Sequence, residues 1–339
     1  MILIKKSAYV GNMENITFNQ AMIAQLCQTT PLIVSRYILS KKINHIQDTN
    51  YHTKKYSLSV AREITNSIYA NNKRNILHKT HVFYNFKGGT GKTSMCYQVA
   101  THLSVLGFRV LCLDLDPQGH LSNVMNIPED WSGPTIYDVV INGINIEDAI
   151  VNVLPGLDLI PSNISVTRIE VPLNSKNKRE EKLKIILDPL KEFYDFIVMD
   201  CNPTISTLNL NALVACDRLN IVCETQPFSL NGLGVFIEEM NQFFNDMALK
   251  PNYCIIPNKY EIKTATAQEV LGALRSNYGS HVLGSVVRKS EDINIAAKKR
   301  LPISAFCKSR STAFEDVMDL VHELVQQSIK IDHEMKKAV

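Results

Sequence analysis

From residue 82 onward the chain alternates short, almost wholly apolar runs with amphipathic stretches, and this alternation limits the possible folds more than any other feature. The runs are 82–85, 109–114, 157–161, 196–200, 219–224, 253–257 and 281–287. Strands buried on both faces are apolar throughout, whereas half-buried strands alternate with polar residues. Between the runs, 93–106, 208–215, 230–244 and 267–276 read as helices. Strand and helix in alternation predict an α/β fold with a doubly wound, mainly parallel sheet. Ligands of such sheets bind beyond the carboxyl ends of the strands.

The first run leads into "NFKGGTGKTS", residues 85–94, and then a helix. This is the setting of a phosphate-binding loop, a P-loop. Gly88, Gly89 and Gly91 permit backbone conformations that a Cβ opposes, so successive N–H groups, including those of Thr90 and Ser94, can turn onto phosphate oxygens. The N-terminus of the following helix adds its dipole. Lys92 would neutralise the terminal phosphates of a nucleoside triphosphate, and the Thr93 hydroxyl would ligate Mg²⁺. Two residues depart from G-x-x-x-x-G-K-[ST]: Phe86 stands at the first glycine, and Lys87 is a second lysine.

The run "KGGTGKT" resembles the deviant Walker A motif of the ParA/MinD ATPases, in which the early lysine is the signature. The resemblance covers residues 82 to about 324 through four ordered motifs. It implies a cytoplasmic ATPase that binds ATP and Mg²⁺ and forms a homodimer face to face over the nucleotide. There Lys87 would reach the partner's triphosphate, as an arginine finger does. "DLDPQG" (114–119) matches the family's switch, implying that Asp116 orients the attacking water and Asp114 supports the Mg²⁺ end. "YDFIVMDCNP" (194–203) has the Walker B arrangement, with Asp200 toward Mg²⁺ and Asn202 replacing a proline. Asn258, after 253–257, is the implied reader of the base. The tail 286–324 follows the ParA layout, and in that family basic residues here hold DNA without sequence preference. The corresponding residues are Arg288, Lys289, Lys298, Lys299, Arg300, Lys308 and Arg310. The terminal "IDHEMKKAV" (331–339) is too mixed in charge to imitate the membrane helix of MinD-type relatives.

Charge is unevenly spread. Residues 1–80 hold 11 Lys/Arg against three Asp/Glu, net +8, and the rest hold 25 against 30, net −5. A basic segment ahead of an acidic body suggests contact with a polyanion. Thr17 could cap a helix over 18–26, "CQTT" makes a turn, and Pro31 suits the first turn of a helix over 31–40. Such a pair predicts a small, mainly α, winged-helix-like helix-turn-helix domain over 1–75, a linker at 76–80 and the ATPase domain over 81–339. The larger ParA proteins carry an operator-binding domain in this position. Gln28, Thr29, Thr30, Ser35 and Arg36 would then meet DNA, while a basic helical appendage is the plainer reading. The eight cysteines form no C-x-x-C pair and fall mostly in apolar runs, which predicts reduced, buried thiols. No apolar run is long enough for a membrane span, and no signal peptide is apparent. The expected function is DNA partition by a ParA-type ATPase associated with the nucleoid, stimulated by a ParB-type centromere-binding partner and repressing its own operon. The alternatives are a positioning ATPase for a protein cargo and a nucleotide-responsive transcriptional repressor.

Overall fold

The computed structural model describes residues 7–8, 16–46, 53–69, 76–308 and 311–329. Arg310, the terminal residues 330–339 and, before residue 76, residues 1–6, 9–15, 47–52 and 70–75 lie outside the described residues. Ten strands are present in the described residues: β1 (Ser7–Ala8), β2 (Thr17–Asn19), β3 (Lys55–Ser57), β4 (Thr80–Phe83), β5 (Val110–Asp114), β6 (Val151–Leu154), β7 (Leu157–Ile160), β8 (Phe196–Asp200), β9 (Arg218–Glu224) and β10 (Tyr253–Asn258). Eight of them form one sheet in the order β1-β6-β7-β5-β8-β4-β9-β10, parallel except for the β6–β7 pair. The central strands β4, β5 and β8 are buried at every residue. That burial explains why their sequences are continuous apolar runs rather than alternating ones.

Helices cover both faces, as a doubly wound sheet requires. The ones that matter below are α1 (Gln20–Leu26), α2 (Pro31–Ser40), α3 (Leu58–Tyr69), α4 (Lys92–Val105), α5 (His120–Val124), α6 (Thr207–Ala215), α7 (Pro227–Asp246), α8 (Glu291–Lys299) and α9 (Thr312–Ser328). Helix α4 is buried almost all round, from Met95 to Val105, because α3 and α9 pack over its outer side.

Three local expectations are corrected. Thr17 does not cap α1. Thr17–Asn19 pairs antiparallel with Lys55–Ser57, burying Phe18 opposite Tyr56, and Asn19 Oδ1 caps α1 by accepting from Met22 N at 2.7 Å. The run 281–287 is not a strand. Gly284 N and Ser285 N donate to the Glu323 carboxylate, so their donors are taken by α9 and only isolated bridges reach β10 and Tyr260. Strand β6 was not foreseen, because four residues beside the Pro155–Gly156 turn give too short a pattern to separate from a loop.

The N-terminal elements sit directly on α4. Val34, Leu26, Phe18 and Ile64 share one core with Phe83, Leu103 and Phe314. Arg62 of α3 reaches the carboxyl end of α4, where its guanidinium donates to the carbonyls of Ser104, Phe108 (3.1 Å) and Gly107 (3.4 Å). Thr65 Oγ1 donates to Val105 O at 2.6 Å. The bonds to Ser104 and Val105 satisfy carbonyls that a helix leaves open at that end, those to Gly107 and Phe108 hold the turn that follows, and Arg62 also complements the dipole. Gly107, at φ +95°, lets the α3 backbone come close: an added Cβ would lie 2.7 Å from Asn66 Cβ. Residues 76–80, read from sequence as a linker, hold a bridge from Ile76 to Ile329 and the first residue of β4.

Candidate functional site

Strands β4, β5, β8, β9 and β10 end at one edge of the sheet, and the residues expected to bind nucleotide are carried there. After β4 the chain forms the loop 86–91 and enters α4 at Lys92. Gly89 (φ +75°) and Gly91 (φ +94°) adopt the left-handed conformation that a Cβ disfavours, and Gly91 also faces Asn258, whose Nδ2 would lie 2.4 Å from an added Cβ. Phe86 is not in this region. Its ring packs edge-on against Phe236 at 4.7 Å and Tyr84 at 5.7 Å, which pins the loop to α7. A glycine is therefore unnecessary at that position, and an aromatic ring does structural work there.

Lys92 is 7% exposed and its Nζ donates to Lys87 O at 3.1 Å, inside the cradle. Burial lowers its pKa, partly offset by Asp200 and Asp116. Thr93 and Ser94 open the same helix turn. Asp200, at the end of β8, is fully buried, and neither carboxylate oxygen makes a hydrogen bond of normal geometry, although the Thr93 hydroxyl is beside it. Burial, and then the charge of Asp114, push its pKa well above the ordinary carboxylate value. A buried carboxylate with open lone pairs beside a P-loop threonine is the donor set a hard divalent cation takes, so these residues fit Mg²⁺.

Asp114 is the register partner of Asp200 on the neighbouring strand but is differently engaged. Its Oδ2 accepts from Ser122 N (2.8 Å) and Ser122 Oγ (2.7 Å), and its Oδ1 from Asp116 N (3.1 Å). Burial raises its pKa to about 6, moderated by these bonds. Its lone pairs go to shaping the switch turn. Asp116 follows in that turn, accepting from Gln118 N at 2.9 Å, with His120 Nδ1 4.0 Å from its other oxygen. Asn202 accepts from Thr204 N, Thr204 Oγ1 and Asn209 Nδ2, so its amide closes the turn after β8.

Lys87 does not point into its own cradle. Its Nζ donates to Glu224 Oε2 at 3.0 Å and to Ser229 Oγ at 3.0 Å. From β10, Asn258 Nδ2 donates to Thr90 O at 2.7 Å, and Lys259 Nζ donates to Gly89 O at 2.5 Å and to Glu224 Oε1 at 2.7 Å. Sequence reasoning missed Glu224, Ser229, Lys259 and Ser122. Glu224 had the same signal as Asp114 and Asp200, a carboxylate closing an apolar strand, and could have been found that way.

The residues expected to meet DNA lie elsewhere and differ among themselves. Arg288 is spent on Asp316, to which its Nε donates at 2.8 and 3.0 Å, and Lys289 on Glu261 at 2.8 Å. Lys298, Lys299 and Arg300 end α8 together. Lys299 Nζ lies 5.0 Å from the centre of the Phe306 ring, and Arg300 is 3.9 Å from Glu129. Lys308 is exposed. Gln28 and Thr29 line a cleft of about 480 Å³ together with Glu315 and Asp319 of α9, while Thr30 and Arg36 are exposed and Ser35 half-buried. All eight cysteines are free thiols, and no His/Cys/Asp/Glu cluster suited to a metal occurs among the described residues. No helix there is long and apolar enough to cross a membrane.

The profile of the family described as "AAA domain" matches residues 78–253. The cell division protein PomZ of Myxococcus xanthus is 31% identical over 228 residues, 67% of this chain and 72% of that protein. The chromosome-partitioning ATPase Soj of Treponema pallidum is 30% identical over 231 residues, covering 67% of this chain and 90% of Soj. McdA of Cyanothece, solved as an ATP complex, superposes with a TM-score of 0.67 at 21% identity, over 75% of this chain and 98% of McdA. With the glycine-rich loop and the carboxylates of Asp114, Asp116 and Asp200 assembled at one sheet edge, these matches establish the chain as a member of the ParA family of partition and positioning ATPases, hydrolysing ATP with Mg²⁺.

Proposed function

We propose that this ATPase partitions DNA as an ATP-closed homodimer. Thr93 and Asp200 hold Mg²⁺, with Asp114 stiffening the turn that presents Asp116. Asp116 orients the attacking water, and Asn258 meets the base with its remaining amide oxygen. Each Lys87 crosses to the partner's triphosphate and stabilises the charge that develops on it. The dimer holds nucleoid DNA through Lys298, Lys299, Arg300 and Lys308, a ParB-type protein stimulates hydrolysis, and the N-terminal helices repress the operon. Arg288 and Lys289 contribute less, since each already has a carboxylate partner. The operator role is confined to Thr30, Ser35 and Arg36, because Glu315 and Asp319 beside Gln28 and Thr29 would repel phosphate.

The observation that carries the reading is the division of labour between two lysines. Lys92 already serves the cradle, and Lys87 is held outside it on Glu224 and Ser229. A cation so placed is of little use to its own nucleotide and is available to another. Lys87→Ala should leave nucleotide affinity within about threefold of wild type and abolish the Mg·ATP dimer seen by light scattering. A normal dimer in that variant would refute the trans role. A protein cargo is the second reading, favoured by an identity to the cell division protein PomZ (31%) as high as that to the chromosome-partitioning Soj (30%).

A further inference from the structure

Glu224 closes β9 with its side chain 9% exposed and each oxygen taken by a different ammonium, Oε2 by Lys87 and Oε1 by Lys259. Burial raises the carboxyl pKa, but the hydrogen bonds from Lys259 and Lys87 outweigh it and hold the group below its ordinary value. Glu224 is thus an ionised, largely desolvated carboxylate. If Lys87 were its sole partner, every departure of Lys87 would strand that charge, and a stranded buried charge is strongly destabilising. With Lys259 present the charge stays compensated. Two ammonium groups around one carboxylate also repel each other, so the trio carries one surplus positive charge until a lysine leaves.

The distances decide which one leaves. Lys259 is held at 2.7 Å by Glu224 and at 2.5 Å by Gly89 O, whereas both Lys87 contacts are 3.0 Å. Lys259 is also fixed at its backbone: φ is +55°, Asn258 before it is tied to Thr90 O, and Tyr260 N after it donates to Val287 O at 3.1 Å. Lys87 is the looser cation.

We infer that Lys259 is a positioning residue that keeps Glu224 compensated, so that Lys87 can leave for a second copy's nucleotide and return to the same carboxylate afterwards. This rests on the trans role of Lys87 proposed above. The test uses the full chain with Mg²⁺ and a non-hydrolysable ATP analogue, measuring dimerisation by sedimentation velocity and monomer affinity with a fluorescent nucleotide. Lys259→Ala should weaken dimerisation about tenfold or more while nucleotide affinity changes less than about threefold, and Lys259→Arg should restore the dimer. Adding Glu224→Gln to Lys259→Ala should also restore it, because a neutral amide needs no counterion; loss of the Gly89 contact alone would not be rescued this way. Unimpaired dimerisation of Lys259→Ala, or no rescue by Glu224→Gln, overturns the inference. If wild type forms no nucleotide-dependent dimer, or Lys87→Ala dimerises normally, the trans role fails and takes the inference with it. A silent Lys259→Ala alongside a dimer-deficient Lys87→Ala defeats the inference alone.

Discussion

Asp200→Asn should make the nucleotide-free protein more stable and the enzyme inactive. Asp200 is fully buried, its oxygens make no hydrogen bond of normal geometry, and Thr93 and Lys92 only partly counter burial and the like charge of Asp114. A buried polar group left unpaired costs about 1–3 kcal/mol, and an incompletely compensated charge adds to that. An amide of the same shape removes the charge but keeps part of the desolvation cost, so a gain of about 1–2 kcal/mol near pH 8 is expected. The pH dependence is the sharper signature. In the folded state Asp200 retains its proton at pH values where the unfolded carboxyl, at 3.8, has lost it. The folded state then binds more protons, and stability falls as pH rises above that value. The variant lacks this decline, so its advantage should grow between about pH 5 and about pH 8.

Mg·ATP should reverse the order. A ligand at a hundredfold its Kd stabilises by about 2.7 kcal/mol, a gain open to wild type and largely closed to the variant. Urea unfolding followed by circular dichroism, at both pH values with and without Mg²⁺ and an ATP analogue, measures every arm. A variant that is less stable at both pH values, or that gains as much from Mg·ATP as wild type, would refute the reasoning.

Arg62→Ala should destabilise the protein by about 2–3 kcal/mol in the same assay, since it removes charge-assisted bonds to three carbonyls, with Arg62→Lys intermediate. Gly91→Ala should weaken nucleotide binding at least about tenfold by equilibrium titration, since the new Cβ meets both a positive φ and Asn258 Nδ2. Reversing the charges of Lys298 and Lys299 should weaken nonspecific DNA binding and flatten its dependence on salt, in a filter or anisotropy assay. Unchanged salt dependence would remove the end of α8 from the DNA surface.

Much of the placement of the candidate site was legible because its signals are local. A glycine-rich turn between strand and helix, and carboxylates closing apolar strands, are bound to their neighbours in sequence. Phe196–Asp200 and Pro31–Ser40 have the same limits in the structure as in the sequence reading. What escaped depends on distant pairs. Lys87 and Glu224 are 137 residues apart, and no pattern near either one announces the other. The failure at 281–287 has the same origin, since Glu323 takes donors that a strand would have used. Arg288 looked like one more surface cation because Asp316, which it touches in space, lies 28 residues away in sequence.

Helix α4 starts in the glycine-rich loop, and its carboxyl end is tied to α3 through Arg62 and Thr65. The N-terminal region is therefore not a removable attachment. Excising residues 1–75 would remove Phe18, Leu26, Val34 and Ile64 from the core they share with Leu103 and Phe314, together with the Arg62 and Thr65 bonds. The carboxyl end of α4 thus depends on side chains that lie some forty residues earlier in the chain.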